Sequence, residues 1–389
     1  MRSLFESLSI QYCVVVLGGA FGSVTLQAQA SPSYPPPTGA YEMGRVSFHW
    51  KDTARDELET KTAADKRELM VHVFYPREPG ITAQRAEYLP DAEVLHGLWS
   101  EAFAARIRAM RSYSYVSAPI AKEARRYPVA VFLPGGGMKA LLNHALVEDL
   151  ASHGWIVVAI DPPYNAQALR FADGHVLRAL PVSESNWPQD MDDVAYAARL
   201  VHWSRDVTFV IDKLMTLDTD GGMFAGRIDL QRGVGVFGHS FGGTAAGTAR
   251  LLDSRIGAAI NLDGWGPEGP FAAVKGPDVG AQPFLWIVRS GPTASSWYPD
   301  RLLQPIAGGA LRVVLNRPAF THGEGFLGAA TTPAARRAKL TAVAEVRAWV
   351  TSFFGATILN RAGDLQRMVA RPRSASPNTV KGFGALSHQ

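Results

Sequence analysis

Val-Gly-Val-Phe-Gly-His-Ser-Phe-Gly-Gly, residues 234–243, is the stretch of this 389-residue chain that decides the fold. Val234–Phe237 is a short apolar run, and a helical pattern follows the last glycine. Gly238-x-Ser240-x-Gly242 at a strand-to-helix turn is the pattern of a nucleophile elbow. Small residues two positions on either side let the strand and the helix approach closely, so that the Ser240 hydroxyl projects clear of the sheet. The stretch therefore predicts a nucleophilic serine.

The rest of the chain alternates between strand and helix patterns from about residue 40 to 355. Continuous apolar runs, typical of buried parallel strands, are Val129–Leu133, Trp155–Ile160, Val234–Phe237, Ile256–Leu262, Phe284–Val288 and Leu311–Leu315. Helical patterns between and after them are Leu141–Ser152, Asp190–Met215, Thr244–Leu252 and Ala334–Phe353. Two earlier strands, Val46–Trp50 and Leu69–Tyr75, suggest an antiparallel start. The pattern predicts an α/β fold with a mostly parallel central sheet and helices on both faces. Its active site should lie beyond the carboxyl ends of the strands.

A serine nucleophile needs a base and an acid that orients the base. Only His322 and His388 follow Ser240, and His322 lies in a glycine-containing loop after the last predicted strand. The acid is expected at Asp263, directly after the strand that ends at Leu262. The next strand is followed by no Asp or Glu up to residue 299, and Glu268 and Asp278 remain as weaker alternatives. We predict the triad Ser240, Asp263 and His322.

The oxyanion of the reaction needs backbone N–H donors. The first is expected at Phe241, directly after the nucleophile. The second is expected in Pro134-Gly135-Gly136-Gly137, the loop after the first central strand, where Gly136 or Gly137 could supply it.

The two ends of the chain differ from its middle. Residues 1–30 have a basic start, a short apolar stretch and a small-x-small site at Ala28–Ala30, which predict a signal peptide and a secreted or periplasmic protein. A proline-rich spacer (31–40) precedes the predicted catalytic domain (41–355), in which 92–126 is a helical insertion. Residues 356–389 are predicted to be a basic, disordered tail that could weakly contact an anionic membrane surface. Residues 361–389 carry a charge of +4, equal to the net charge of the whole chain.

Composition excludes several classes of protein. Hydrophobic residues make up 47% of the chain, which is ample for a core. Cys13 is the only cysteine, so no intrachain disulfide or cysteine-ligated metal is possible. The middle of the chain is nearly neutral, which disfavours a nucleic-acid partner. Gly233-x-Gly235-x-x-Gly238 matches a dinucleotide fingerprint, but its glycines span the strand instead of following it. We predict no cofactor and no metal.

These motifs resemble the α/β-hydrolases of the platelet-activating factor acetylhydrolase type (the plasma and intracellular isoform II group). The resemblance covers most of residues 65–355 and rests on Tyr127–Phe132, Leu150–Val157, Gly235–Gly243, Leu262–Trp265 and Gln282–Phe284. The oxyanion loop departs from the family, with Pro134-Gly135 where a His-Gly pair is usual. The resemblance implies an α/β-hydrolase fold of about eight strands, the same triad, and Gly136 with Phe241 as oxyanion donors.

Motifs and resemblance together predict a serine carboxylester hydrolase that acts through an acyl-enzyme on short-chain or phospholipid-type esters. It could resemble a 1-alkyl-2-acetylglycerophosphocholine esterase. The alternatives are a cutinase-like hydrolase of polyesters or bulky esters and, from another class, a catalytically silent binding protein. The natural acyl chain, the oligomeric state and any lid function of 92–126 stay open.

Overall fold

Apolar strands and amphipathic helices build a mixed sheet whose strand order positions the candidate site. The computed structural model describes residues 34–95, 100–122, 126–181, 192–264, 280–290, 303–315, 332–370 and 379–386. They belong to one unit spanning 32–389. The predicted signal peptide, 1–30, lies outside the described residues.

The described strands are β1 Met43–Asp56, β2 Lys66–Pro76, β3 Arg85–Glu87, β4 Arg111–Val116, β5 Tyr127–Leu133, β6 Ile156–Asp161, β7 Ala168–Arg170, β8 Val176–Arg178, β9 Ile228–Asp229, β10 Val234–His239, β11 Ile256–Leu262, β12 Phe284–Arg289, β13 Ala310–Leu315 and β14 Thr379–Phe383. The described α-helices are α1 Glu101–Ala109, α2 His144–Ser152, α3 Asp193–Leu217, α4 Phe241–Leu252, α5 Pro333–Thr357 and α6 Ala362–Val369.

Strand order determines where a substrate can bind. The described part of the main sheet runs β14-β13-β12-β11-β10-β5-β6-β2-β1-β4-β3, with β9 beside β5. Every pair from β6 to β13 is parallel, whereas β2 is antiparallel to both β1 and β6. From β5 the chain continues to β6 on one side and later returns to β10 on the other. In sheets with such a reversal, ligands usually bind beyond the carboxyl ends of the two strands that flank it, here β5 and β10.

The sheet is buried on both faces. Along β5, Ala130 and Phe132 belong to one apolar cluster, which includes residues of α2 and α5. Val129 and Val131 belong to the opposite cluster, which includes residues of α3 and α4. Because successive side chains of a strand point to opposite faces, a strand covered on both sides must be apolar throughout. The predicted fold class is therefore confirmed, with twelve described strands in the sheet rather than about eight.

Helix ends follow local capping chemistry. The Asp192 side chain accepts a hydrogen bond from the Ala195 N–H (2.8 Å) and caps α3. Thr332 caps α5 in the same way, and Pro333 occupies the first position of that helix, where the missing N–H costs nothing. No described helix combines the length and apolar character needed to cross a bilayer.

The structure differs from the predicted domain division in two places. In the tail, α6 packs through Leu365 and Met368, and β14 pairs with β13. Without β14, the backbone groups of β13 on that side would lack a strand partner, so pairing outweighs the polar composition of the segment. Among the described residues of the 92–126 insertion, the helix α1 is followed by β4, which pairs with β1. The other boundaries stay predictions.

A buried ionic cluster fastens α3 to β2. The fully buried Arg67 contacts Asp206 at 2.5 Å and Glu57 at 2.8 Å. Burial alone would raise the pKa of Glu57, but the Arg67 guanidinium and its hydrogen bonds lower it to about 2. For the neighbouring Glu59, burial prevails and raises the pKa to about 7, although Arg199 lies 2.7 Å away.

Candidate active site

Ser240 lies at a strained turn between β10 and α4. Its backbone has φ 51° and ψ −122°, a conformation that a residue with a side chain rarely adopts. Such strain costs about 1–3 kcal/mol and persists only where neighbouring structure enforces it. Here the Ser240 N–H donates to the Leu262 carbonyl (2.8 Å), and the Ser240 carbonyl accepts from the Gly243 N–H (2.9 Å). The strain and its enforcement are those of a nucleophile elbow.

The glycines of the motif are required by close backbone contacts. A Cβ atom on Gly242 would lie 2.2 Å from the Pro134 carbonyl oxygen. A Cβ atom on Gly238 would lie 2.3 Å from the Gly242 carbonyl oxygen. Since both obstacles are backbone, neither can move aside. The spacing Gly-x-Ser-x-Gly thus lets β10, α4 and the loop after β5 meet at one point.

The glycine loop after β5 passes beside the elbow. A Cβ atom on Gly135 would lie 3.4 Å from the Ser240 Cβ, and one on Gly136 would lie 4.0 Å from the Phe241 Cβ. Phe241 is the first residue of α4, a position whose backbone N–H has no acceptor within the helix. Gly136 and Phe241 are therefore adjacent at the carboxyl ends of two neighbouring strands.

Asn165 holds this loop in place. Its Oδ1 accepts from the Gly137 N–H (2.9 Å), and its Nδ2 donates to the carbonyls of Gly135 (3.2 Å) and Met138 (3.0 Å). Because the Gly137 N–H is already used, this arrangement favours Gly136 of the two predicted donors. Sequence analysis missed Asn165, which lies in the loop four residues after the end of β6 and carries no motif of its own.

The Phe241 ring anchors the start of α4 against α3. It makes edge-on contacts with Trp203 (centroids 4.7 Å apart) and Tyr196 (5.1 Å). Trp203 is fully buried. The residue whose backbone N–H should meet the oxyanion therefore has its side chain held by aromatic packing.

Asp263 directly follows β11, the strand that pairs with β10, and Ser240 directly follows β10. Leu262 is in register with His239, so Asp263 and Ser240 each lie one residue past the paired positions. Asp263 has φ 57°, and its N–H donates to the Ile287 carbonyl (2.7 Å). The turn thus projects a carboxylate at the same edge of the sheet as the serine.

Arg289 is a neighbour of Asp263 that sequence analysis did not identify. Its Nε lies 2.5 Å from Asp263 Oδ2, and its backbone N–H donates to Oδ1 (3.3 Å). Burial raises the pKa of Asp263, and the Arg289 guanidinium partly opposes that effect. The only sequence signal was that Arg289 ends the strand next to the one that Asp263 follows.

His322 lies outside the described residues, as do Glu268 and Asp278. The structure describes β13 up to Leu315 and resumes at residue 332. Of the predicted site residues, Ser240, Phe241, Gly136 and Asp263 are brought to one edge of the sheet, and the base stays a prediction.

Comparison with solved structures identifies the architecture. A ferulic acid esterase from Streptomyces cinnamoneus superimposes with a TM-score of 0.69 at 25% sequence identity, covering 90% of this chain and 99% of that one. The chain has the α/β-hydrolase fold.

Sequence relatives of this α/β-hydrolase confirm the resemblance to acetylhydrolases. A probable 1-alkyl-2-acetylglycerophosphocholine esterase from Arthroderma benhamiae is 27% identical over 145 residues, 36% of this chain and 32% of that protein. Platelet-activating factor acetylhydrolase from Bos taurus is 25% identical over 158 residues, 36% of this chain and 35% of that protein. The matches span about a third of the length of these relatives. No protein-family model matches the chain.

Proposed function

We propose that the protein is a serine carboxylester hydrolase. The observation that carries the proposal is Ser240, held at a positive φ where β10 meets α4 and beside the glycine loop after β5. A strained serine at the switch point of a parallel sheet is the arrangement by which this fold exposes a nucleophile. Its relatives and its structural neighbour are esterases by name.

In the proposed reaction, His322 takes the Ser240 proton and the alkoxide attacks the ester carbonyl. The N–H groups of Phe241 and Gly136 stabilise the oxyanion, each contributing about 3–4 kcal/mol. The alcohol leaves with the proton from His322, and water then attacks the acyl-enzyme with the same base. Asp263 orients the imidazole and stabilises its charged form without taking the proton.

Arg289 has a role in this scheme because Asp263 must stay ionised. Burial favours the neutral carboxylic acid, whereas an adjacent guanidinium favours the carboxylate. We assign Arg289 as a positioning residue that keeps Asp263 charged and oriented at the edge of the sheet.

For the substrate, the sequence relatives favour short-chain or phospholipid-type esters, as their names state. The structural neighbour, named for an ester of an aromatic acid, supports the second candidate, a hydrolase of bulky esters or polyesters. Export, and contact of the basic tail with anionic membranes, are proposals that rest on the sequence alone.

The decisive experiment replaces the nucleophile. Ser240→Ala should abolish hydrolysis of p-nitrophenyl acetate and labelling by a fluorophosphonate probe, with an unchanged circular dichroism spectrum. Ser117→Ala is the matched control, because Ser117 also has a positive φ, 45°, and is exposed. Wild-type protein that neither hydrolyses esters nor takes up the probe would favour the silent binding protein. Rates on acetate, octanoate and polymer films then separate the two substrate classes.

A further inference from the structure

Two histidines and a glutamate meet on the far side of β2 from the active-site strands. His49 is on β1, Glu68 on β2, and His175 in the turn between β7 and β8. The His49 Nε2 lies 2.8 Å from Glu68 Oε2, and the His175 Nε2 lies 3.3 Å from Glu68 Oε1. One donor atom from each residue lies within 4.8 Å of the other two. All three side chains are partly buried, with 21%, 15% and 36% exposure.

Two carboxylates fix the orientation of the His175 ring at this cluster. Its Nδ1 lies 2.5 Å from Asp173 Oδ1, while its Nε2 faces Glu68. With Nδ1 directed at the Asp173 carboxylate, Nε2 is the ring nitrogen left beside Glu68, where a metal ion would bind. The Asp173 contact is the carboxylate–histidine pairing that orients metal-binding imidazoles.

The position of the His175 ring is restricted on a second side. Phe171 stacks on it with centroids 4.4 Å apart and planes 8° from parallel, and Phe171 also contacts the His49 ring at 4.3 Å. The carboxylate of Asp173 further accepts from the His175 backbone N–H (3.1 Å). An imidazole held in this way loses little freedom when it binds a ligand.

We propose that His49, Glu68 and His175 bind a divalent transition-metal ion of the zinc class. Two imidazole nitrogens and one carboxylate oxygen suit Zn²⁺, whereas Mg²⁺ and Ca²⁺ prefer oxygen ligands. Tetrahedral zinc bonds of 2.0–2.1 Å separate donor atoms by about 3.3 Å. The His175 Nε2 lies at that distance from Glu68 Oε1, and all three donor atoms lie within 4.8 Å of one another. Because the three side chains are partly exposed, a water molecule would supply the fourth ligand. The proposal is independent of the proposed esterase activity.

The metal has a structural role in this arrangement. β7 and β8 are three residues each, too short to be stable as an isolated hairpin. The hairpin is held by a small apolar cluster of Ala166, Leu169 and Phe171, with Met70 of β2 against it. A metal ion would tie the hairpin to β1 and β2, and β7 begins three residues after Asn165.

The test measures metal binding directly on the full chain, purified without a histidine tag and treated with EDTA. Addition of Zn²⁺ should load one ion per chain by mass spectrometry of the dialysed protein, and should raise the unfolding temperature where Mg²⁺ does not. At a free zinc concentration 100 times the dissociation constant, the ratio of folded to unfolded protein should rise about 100-fold.

Variants test whether the zinc binds at this cluster or at another histidine of the chain. His175→Gln and Glu68→Gln should lose the bound zinc, and Asp173→Asn should weaken its affinity about 10- to 100-fold. His153→Gln is the matched control, since His153 is 33% exposed, lies beside Asp149 and should retain full binding. Wild-type protein without saturable binding below millimolar zinc, or stoichiometric zinc in both ligand variants, would overturn the proposal.

Discussion

Asn165→Ala tests whether the glycine loop is held in the geometry that oxyanion binding requires. The side chain makes three hydrogen bonds to the loop, at 2.9, 3.0 and 3.2 Å. Each has a net value of about 0.5–1.5 kcal/mol. Because Asn165 is only half-buried, water can replace part of them, and we expect a loss of about 2 kcal/mol in the positioning of Gly136.

This loss should appear in kcat and hardly in KM, since in the proposed reaction the Gly136 N–H stabilises charge that develops in the transition state. A cost of about 2 kcal/mol corresponds to a fall in kcat of about 30-fold. The fall in kcat should not exceed the one caused by removing a whole oxyanion donor, which is about 10²- to 10³-fold. Steady-state hydrolysis of p-nitrophenyl acetate measures both constants, and the unfolding temperature reports on the fold.

Asn360→Ala provides the control for that experiment. Asn360 has φ 57° and is exposed after α5, so its loss should lower stability without changing kcat. A kcat for Asn165→Ala within twofold of the wild type would refute the assignment of the loop. A rise in KM at constant kcat would equally contradict it, because it would assign Asn165 to ground-state binding.

Three further outcomes follow from individual contacts. Arg289→Gln should move the acidic limb of the kcat/KM profile to higher pH, since the guanidinium opposes the rise that burial causes in the pKa of Asp263. An unmoved limb would show that Arg289 does not control ionisation there. Gly242→Ala should lower the free energy of unfolding, measured in urea, by at least about 3 kcal/mol, because the new Cβ would lie 2.2 Å from the Pro134 carbonyl oxygen. Gly247→Ala is the control and should be tolerated, because its Cβ would lie 3.4 Å from the Phe284 ring. Equal losses would rule out that collision as the cause. Glu59 has a pKa of about 7 in the folded protein against an ordinary 4.5. Protonation of Glu59 therefore contributes its full stabilisation of the fold below pH 4.5, and this contribution is lost as the pH rises through 7. Wild-type stability should fall by up to about 3 kcal/mol over that range relative to Glu59→Gln, and parallel curves would contradict the shift.

The parts of the fold that could be predicted from sequence are those encoded in contiguous residues. The predicted strand Ile256–Leu262 matches β11 residue for residue, and the elbow of Ser240 lies between β10 and α4 as its motif indicates. Strand periodicity and the steric demand for glycine at a tight turn act over a few neighbouring residues. Features that depend only on neighbouring residues can therefore be recognised from the sequence.

The tail shows where composition misleads. Residues 379–383 lie in the basic tail 356–389 that is predicted to be disordered, yet they form β14 because the edge of β13 offers backbone hydrogen bonds. Backbone pairing leaves no signature in side-chain composition, so its presence depends on what the rest of the chain builds nearby.

By itself, the sequence determined the α/β class, the nucleophile turn and the strand ends where the acid and the oxyanion loop should lie. Only the tertiary structure decided that Arg289 faces Asp263, that Asn165 engages Gly137, and that His49 meets His175 across 126 positions of chain. The physical reason is that a turn is specified by the conformations of its own few residues. A contact between polar side chains on separate elements depends instead on strand order and register, which emerge only when the whole sheet has packed.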